Sequence, residues 1–237
     1  MMITVIGRGH SGTRAMSHTL STSGVYMGAE INVSGDLIPP QDMYEACRVM
    51  ARHVTYLGHN RWDFSKLHTV PIDPAFTRLI ESYLASVLAS DTPRKGWKIP
   101  ETTLVFPWIA RLFPDIHYIY WIRDPRDCIL GGHVTDDLSK FGISYDKTED
   151  TRLRRAISWE YQVELVKATP KPKHWQTVRF EDFVLKQDQT LLRLKEYLGF
   201  PLAKIPVDTT RIGQWQNDTD THDFDFFQAD LIEHSYV

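Results

Sequence analysis

Residues 7–14 read Gly7-Arg8-Gly9-His10-Ser11-Gly12-Thr13-Arg14, with three glycines, two hydroxyls and three basic side chains in one turn. Residue types of this kind at this spacing suit an oxyanion. Glycines let backbone N–H groups converge, and the N-terminus of a following helix adds partial positive charge. An ordinary βα turn is the plainer alternative. A nucleotide loop of the Walker type would read G-x-x-x-x-G-K-[ST]. Gly7 and Gly12 have that spacing, but Thr13 stands at the lysine position and Arg14 at the hydroxyl position. The lysine that reaches the β- and γ-phosphates and the hydroxyl that holds Mg²⁺ have lost their places. The loop is read as gripping an anion without a triphosphate–metal complex.

The elements around this loop must aim it. Ile3 to Ile6 is short, apolar and β-branched, as in a buried strand. Ser11 is expected to cap a helix that carries Ala15, Met16, Thr19 and Leu20 on one side and ends at Gly24. Ile116 to Ile122 is nearly all apolar, as expected for a parallel strand covered on both faces. Directly after it come Arg123-Asp124-Pro125-Arg126-Asp127, where Asp124-Pro125 reads as an N-cap and first helical residue. Ligands of open α/β sheets lie beyond the carboxyl ends of strands. Arg123 would stand there, on the same sheet edge as the first loop; the alternative is a surface arginine paired with Asp127.

The rest of the chain alternates in the same way. A short strand is expected at Val25 to Met27 and a helix at Gln41 to Val54. Asp73-Pro74 opens a helix whose stripe runs from Phe76 to Leu88. Gly96 to Ile99 is a strand, Pro100 to Thr103 a turn, and Leu104 to Phe113 a helix. Leu153 to Leu165 marks a long helix, Trp175 to Phe180 a strand, and Thr190 to Leu198 a helix closed by Gly199. Such alternation predicts one α/β domain over 1–237, a parallel sheet between helical layers with right-handed crossovers. Residues 28–72 are irregular, either a substrate-facing wall or a structural excursion. Residues 134–150 are polar and loop-like. The acidic tail, 218–237, is open to three readings: a solvated cover, a partner surface or a partly disordered segment.

The formal net charge of −3 gives no general attraction to nucleic acid, so any anion site is local. Cys47 and Cys128 are too few for a disulfide framework and suit a reducing compartment. The sequence offers no membrane span and no secretory pattern at its start, so a cytoplasmic protein is expected. A homo-oligomer is compatible with it. No histidine pair has zinc-motif spacing with cysteine, and no metal is expected.

Taken together, five segments resemble the sulfotransferase family that uses 3′-phosphoadenosine 5′-phosphosulfate (PAPS). Gly9-His10-Ser11-Gly12-Thr13 resembles its 5′-phosphosulfate loop. Tyr120 to Asp127 resembles its 3′-phosphate segment, and Val178-Arg179-Phe180-Glu181-Asp182 its segment near the adenine. Arg211-Ile212-Gly213-Gln214-Trp215-Gln216-Asn217 resembles the C-terminal loop that closes over the nucleotide, and Lys98-Ile99-Pro100-Glu101 the K-x-P turn of bacterial members. The resemblance implies a P-loop NTPase-like fold, PAPS as donor and its bisphosphate (PAP) as product. It implies transfer of a sulfuryl group to a hydroxyl, or an amine, of a small-molecule, carbohydrate or lipid acceptor.

It also implies roles. Arg8, Gly9, His10, Ser11, Gly12, Thr13 and Arg14 would hold the phosphosulfate. Arg123, Arg211 and the loop at Gly213 would hold the 3′-phosphate side, and Phe180 would pack on the adenine. Two positions depart from the family. His10 replaces a lysine or arginine that bridges to the leaving oxygen, and Gly131 replaces a serine, leaving a backbone N–H or another residue to serve. His10, Lys98 and Glu101 are the catalytic candidates. Glu101 is the first choice for the base because it follows a strand at the active edge, although a first-turn glutamate is favoured by the helix dipole anyway. His133 is the second candidate, and Glu30 or His59 the third. The competing classes are a metal-assisted phosphotransferase and a nucleotide-binding protein that has lost turnover.

Overall fold

The computed structural model describes residues 1–236. The strand β1 (Met2–Ile6) leads through the loop into α1 (Thr13–Thr22). The insertion holds α2 (Gln41–Ala51), a hairpin of β2 (Thr55–Gly58) and β3 (Arg61–Asp63), and the single turn α3 (Lys66–Thr69). Next come α4 (Pro74–Tyr83), α5 (Ala85–Ala89) and β4 (Lys95–Lys98). A 3₁₀ stretch, Pro100–Val105, and α6 (Phe106–Leu112) precede β5 (His117–Ile122). The short α7 (Pro125–Cys128), two 3₁₀ turns (Val134–Asp136 and Leu138–Phe141) and α8 (Thr151–Ala168) lead to β6 (His174–Arg179). The chain closes with α9 (Phe180–Leu185), α10 (Gln187–Leu198) and α11 (Gln228–Glu233).

The expected parallel sheet is present, in the order β4-β1-β5-β6. Ile3 pairs with Gly96 on one side and His117 on the other, so β1 is central and fully covered. Successive side chains of β5 point to opposite faces. Tyr118, Tyr120 and Ile122 join a core built with α2, α4, α6 and α8. Ile119 and Trp121 join a second core, with Ile3 and Val5, against α1, α9 and α10. These are the two helical layers of the P-loop NTPase-like α/β fold. Both β1 and β5 therefore deliver their carboxyl ends, with the residues that follow, to one edge.

Local signals fixed the helix boundaries well. Asp73 accepts from the Ala75 N–H (2.7 Å) with Pro74 at the first helical position, and Asp124 accepts from the Arg126 N–H (2.9 Å) with Pro125. Leu20 and Ser21 carbonyls accept from Val25 and Gly24 (both 3.0 Å), with Gly24 in the left-handed region, which closes α1. The helix expected through Leu88 breaks at Leu84, and the turn brings Ser86 Oγ to the Ala29 N–H (3.2 Å). The strand expected at Val25–Met27 is one bridge, Tyr26 to Lys95.

Two regions needed the tertiary fold to be read. The hairpin of β2 and β3 leans on α8: Trp62 Nε1 donates to Ser144 O (2.8 Å) and its ring lies 5.0 Å from that of Tyr161. The acidic tail is a docked cover, because Phe227 and Leu231 bury themselves against Cys128, Ile129, Ala156, Trp159 and Val163.

Candidate active site

The loop after β1 is pinned from below. Arg8 is buried, 4% exposed. Its guanidinium donates to Asp136 Oδ1 (2.5 Å), Gly9 O (2.8 Å) and Cys128 O (3.1 Å). It is a brace between the loop and the Val134–Asp136 turn, not a ligand-facing cation, which corrects the expectation. Ser11 is corrected as well. Its hydroxyl donates to Arg8 O (2.5 Å) and its carbonyl accepts from Trp121 Nε1 (2.8 Å), so it stabilises the turn from the buried side. Gly12 is the N-cap of α1, at φ 90°, and a Cβ there would stand 2.7 Å from the Phe180 ring. Only glycine satisfies both demands.

The loop also interlocks with residues 131–133. A Cβ on Gly9 would stand 2.1 Å from the His133 ring, and one on Gly131 2.2 Å from the His10 ring. Each loop contributes a histidine that packs on the other loop's glycine. Gly131 is thus a contact surface for His10 and does not reach the cleft wall. Residue types alone carried no signal of this fit.

Above the loop opens a cleft of about 590 Å³. Its wall holds Gly9, His10, Gly12, Thr13 and Arg14, including the first turn of α1. The N–H groups of a helix's first turn have no intrahelical acceptor. Arg123 stands beside them, as its position after β5 required. It donates to the carbonyls of His10 (3.1 Å) and Arg211, and it lies 3.3 Å from Asp127 Oδ2. The structural pairing and the cleft position are thus both present. Its Nε is buried without a partner among the described residues. Its guanidinium lies 4.6 Å from the Phe180 ring centroid. Arg211 is exposed on the cleft, 3.2 Å from Asp208. Gly213 does not line the cleft: its N–H goes to Asp127 Oδ2 (2.8 Å), while Trp215 N donates to Oδ1 (3.0 Å). That carboxylate fastens the C-terminal loop to the strand-end arginine. Ile205, Pro206 and Val207 form an apolar shelf with Phe180 that sequence reasoning missed, since three residues without periodicity carry no signal.

Beside Arg14, Lys98 meets the insertion. Its Nζ donates to Asp36 Oδ1 (2.5 Å) and Ser34 O (2.9 Å), and Arg14 donates to Ser34 Oγ (3.0 Å). Burial lowers the Lys98 pKa, and Asp36 offsets this in part. Ser34 and Asp36 are wall residues, as is His18, and none of the three was anticipated. Glu30 and His59 are not in the wall, so the insertion contributes through a different stretch than expected.

Glu101 is the main correction. The chain turns inward after Pro100 as a 3₁₀ helix, and Glu101 is 1% exposed, outside the cleft wall. Cys47 Sγ donates to its carbonyl (3.7 Å), and its Oε1 has no partner among the described residues. Burial pushes its pKa up to about 7, with Asp36 adding to the rise. Pro100 lines the cleft while Glu101 does not, which takes Glu101 out of the first place as base.

The sulfotransferase family profile matches residues 3–204. The chain belongs to the sulfotransferase family. Its fold resembles that of the sulfotransferase domain from the curacin biosynthetic pathway, at 16% identity and a TM-score of 0.61, over 99% of this chain and 97% of that one. It also resembles the sulfotransferase domain of the Synechococcus PCC 7002 olefin synthase, at 13% identity and a TM-score of 0.56, over 100% and 94% of the two chains. No curated protein matches the sequence. No helix among the described residues is long and apolar enough to cross a membrane.

Two histidines of the cleft, His10 and His133, are both held toward the neutral form. His10 is exposed at its edge, but its ring is crowded, and burial, then the Arg8 charge, lower its pKa. It is uncharged at neutral pH, in the place where the family resemblance expects a fixed cation. His133 is held neutral more strongly, at about 4, by burial first and then by Arg8. Its Nδ1 accepts from the Thr135 N–H (3.3 Å), and a backbone N–H can only donate, so the ring proton sits on Nε2. His133 therefore presents a donor, which argues against it as the base.

Proposed function

We propose that the chain transfers a sulfuryl group from PAPS to an acceptor hydroxyl, or less readily an amine. The observation that carries this is one cleft that combines an N–H-rich helix start, an arginine cluster beside it and an apolar shelf. The residues fit such a donor: Gly9, Gly12 and Thr13 open the start of α1 onto the cleft, and the orphaned Arg123 Nε calls for an anion. The loop and the α1 N-terminus suit the 5′-phosphosulfate, Arg123 and Arg211 the 3′-phosphate, and Phe180 with Ile205–Val207 the adenine. Charge-assisted donors of this kind are the strong ones.

In this reading an acceptor oxygen bonds to sulfur while the bond from sulfur to the 5′-phosphate oxygen breaks in line. The products are a sulfate ester and PAP. As in phosphoryl transfer, positioning and charge stabilisation carry the reaction. Lys98 and Arg14 supply positive charge near the leaving oxygen. The hydroxyl proton passes to His10, which is neutral and exposed on the cleft. No step requires a metal, and a cytosolic site of action accords with two free, buried cysteines.

A mass-spectrometric acceptor screen, run with PAPS and in parallel with ATP and Mg²⁺, tests the reading. Sulfated products are expected in the first arm only. Phosphorylated products in the second would favour the phosphotransferase class.

A further inference from the structure

A second cleft, of about 530 Å³, lies on the other side of the residue 131–133 loop, and His133 belongs to the walls of both. Its floor is built from the Val134–Asp136 turn and the first turn of α8. Three cations face it, Lys140, Arg154 and Arg155, with two carboxylates, Asp136 and Asp137.

These charges do not cancel. Asp136 is taken by Arg8 (2.5 Å), by the His133 N–H (2.7 Å) and by Arg155 (3.4 Å). Arg155 is further occupied by the carbonyls of Ile129 (3.0 Å) and Leu130 (2.9 Å). Asp137 accepts from Ser139 Oγ (2.6 Å) and Tyr145 OH (3.2 Å), and it lies near Lys140 without an ion pair. Among the described residues, neither Arg154 nor Lys140 has a carboxylate within ion-pair distance, and Arg154 Nε is buried without any partner. On a chain of net charge −3, two cations without an ion-pair partner among the described residues, beside the reaction site, are a local feature that asks for an anion.

We propose that this cleft receives the acceptor, and that the acceptor carries a negatively charged group, a carboxylate, sulfate or phosphate, held by Arg154 and Lys140. The assignment rests on the donor lying in the first cleft. The shared His133 wall then places the acceptor's hydroxyl end toward the loop and its anionic end toward α8.

The test compares 4-hydroxybenzoate with its uncharged amide, 4-hydroxybenzamide, as ligands of the full chain saturated with PAP, by ligand-observed NMR. The two differ in charge and little in shape. The acid should bind about tenfold more tightly, the range for hydrogen bonds to a charged group. The preference should fade at high salt and vanish in the Arg154→Gln/Lys140→Gln double variant, whose melting temperature and PAP affinity stay unchanged. Equal binding of acid and amide, binding of neither, or a preference that survives in the double variant would overturn the proposal. A wild-type protein that fails to bind PAP refutes the donor reading instead. The same titration on the free protein then still decides this one, because an anion held in the first cleft is insensitive to the double variant.

Discussion

Glu101 carries the sharpest consequence at the scale of single residues. Its carboxyl is raised from an ordinary 4.5 to about 7 by burial, with Asp36 adding to the rise and Lys98 opposing it. The folded protein thus binds this proton more tightly than the unfolded chain does. The associated stability is complete below about 4.5 and is lost as pH rises through about 7, a difference of roughly 3 kcal/mol. Glu101→Gln should flatten the fall in melting temperature between pH 5 and 8 and leave single-turnover sulfation intact. A kinetic collapse with an unchanged pH profile would return Glu101 to the mechanism. Arg123 gives a second prediction. Arg123→Ala should weaken PAP by roughly 2–5 kcal/mol and ADP far less, in paired calorimetric titrations. The ratio matters because the same side chain also holds the His10 and Arg211 carbonyls, so an equal loss for both ligands would make it purely structural. The sequence made Arg123 legible because a strand end fixes its position. Arg8 was misread because its partner, Asp136, is 128 residues away, and Glu101 because a 3₁₀ turn decides which way it faces.

Elements decide how the cleft keeps its shape. The 32–36 loop is clamped to the end of β4 by Lys98 and Asp36, with Asn32 Nδ2 donating to the other Asp36 oxygen (3.1 Å). The two partners are unequally buried, at 2% and 16% side-chain exposure. Asp36→Ala should therefore cost about 3–5 kcal/mol, because it strands a buried ammonium. Lys98→Met should cost less, because Asp36 can rehydrate and the stem packing is kept. Urea denaturation of both variants reads the difference, and equal costs would mean that the pair is not governed by burial. The tail offers a parallel test. Phe227→Ala should lower stability by about 3–5 kcal/mol, as for any buried phenylalanine, whereas a loss under 1 kcal/mol would mean that the tail is only loosely seated. Asp-Pro caps and apolar stripes are local, which is why α4, α7 and α10 could be read from the chain. The β2–β3 hairpin could not, since its strands are short and its partners, Ser144 and Tyr161, lie far along the sequence.

For the molecule as a whole, a central β1 between β4 and β5 brings a loop, an arginine and a lysine turn from three crossovers to one edge. That convergence was legible from strand–helix alternation and from five short segments in family order. The apolar shelf, the His–Gly interlock and the second cleft were not, because each exists only where distant loops meet. A cleft built for a 3′-phosphorylated donor must prefer PAP to ADP. Thermal denaturation of the full chain in metal-free buffer, with PAP or ADP at equal concentration, measures this directly. PAP should raise the melting temperature without metal and by more than ADP does. Equal stabilisation by the two, or stabilisation that appears only with Mg²⁺, would contradict a cleft built for a 3′-phosphorylated sulfate donor.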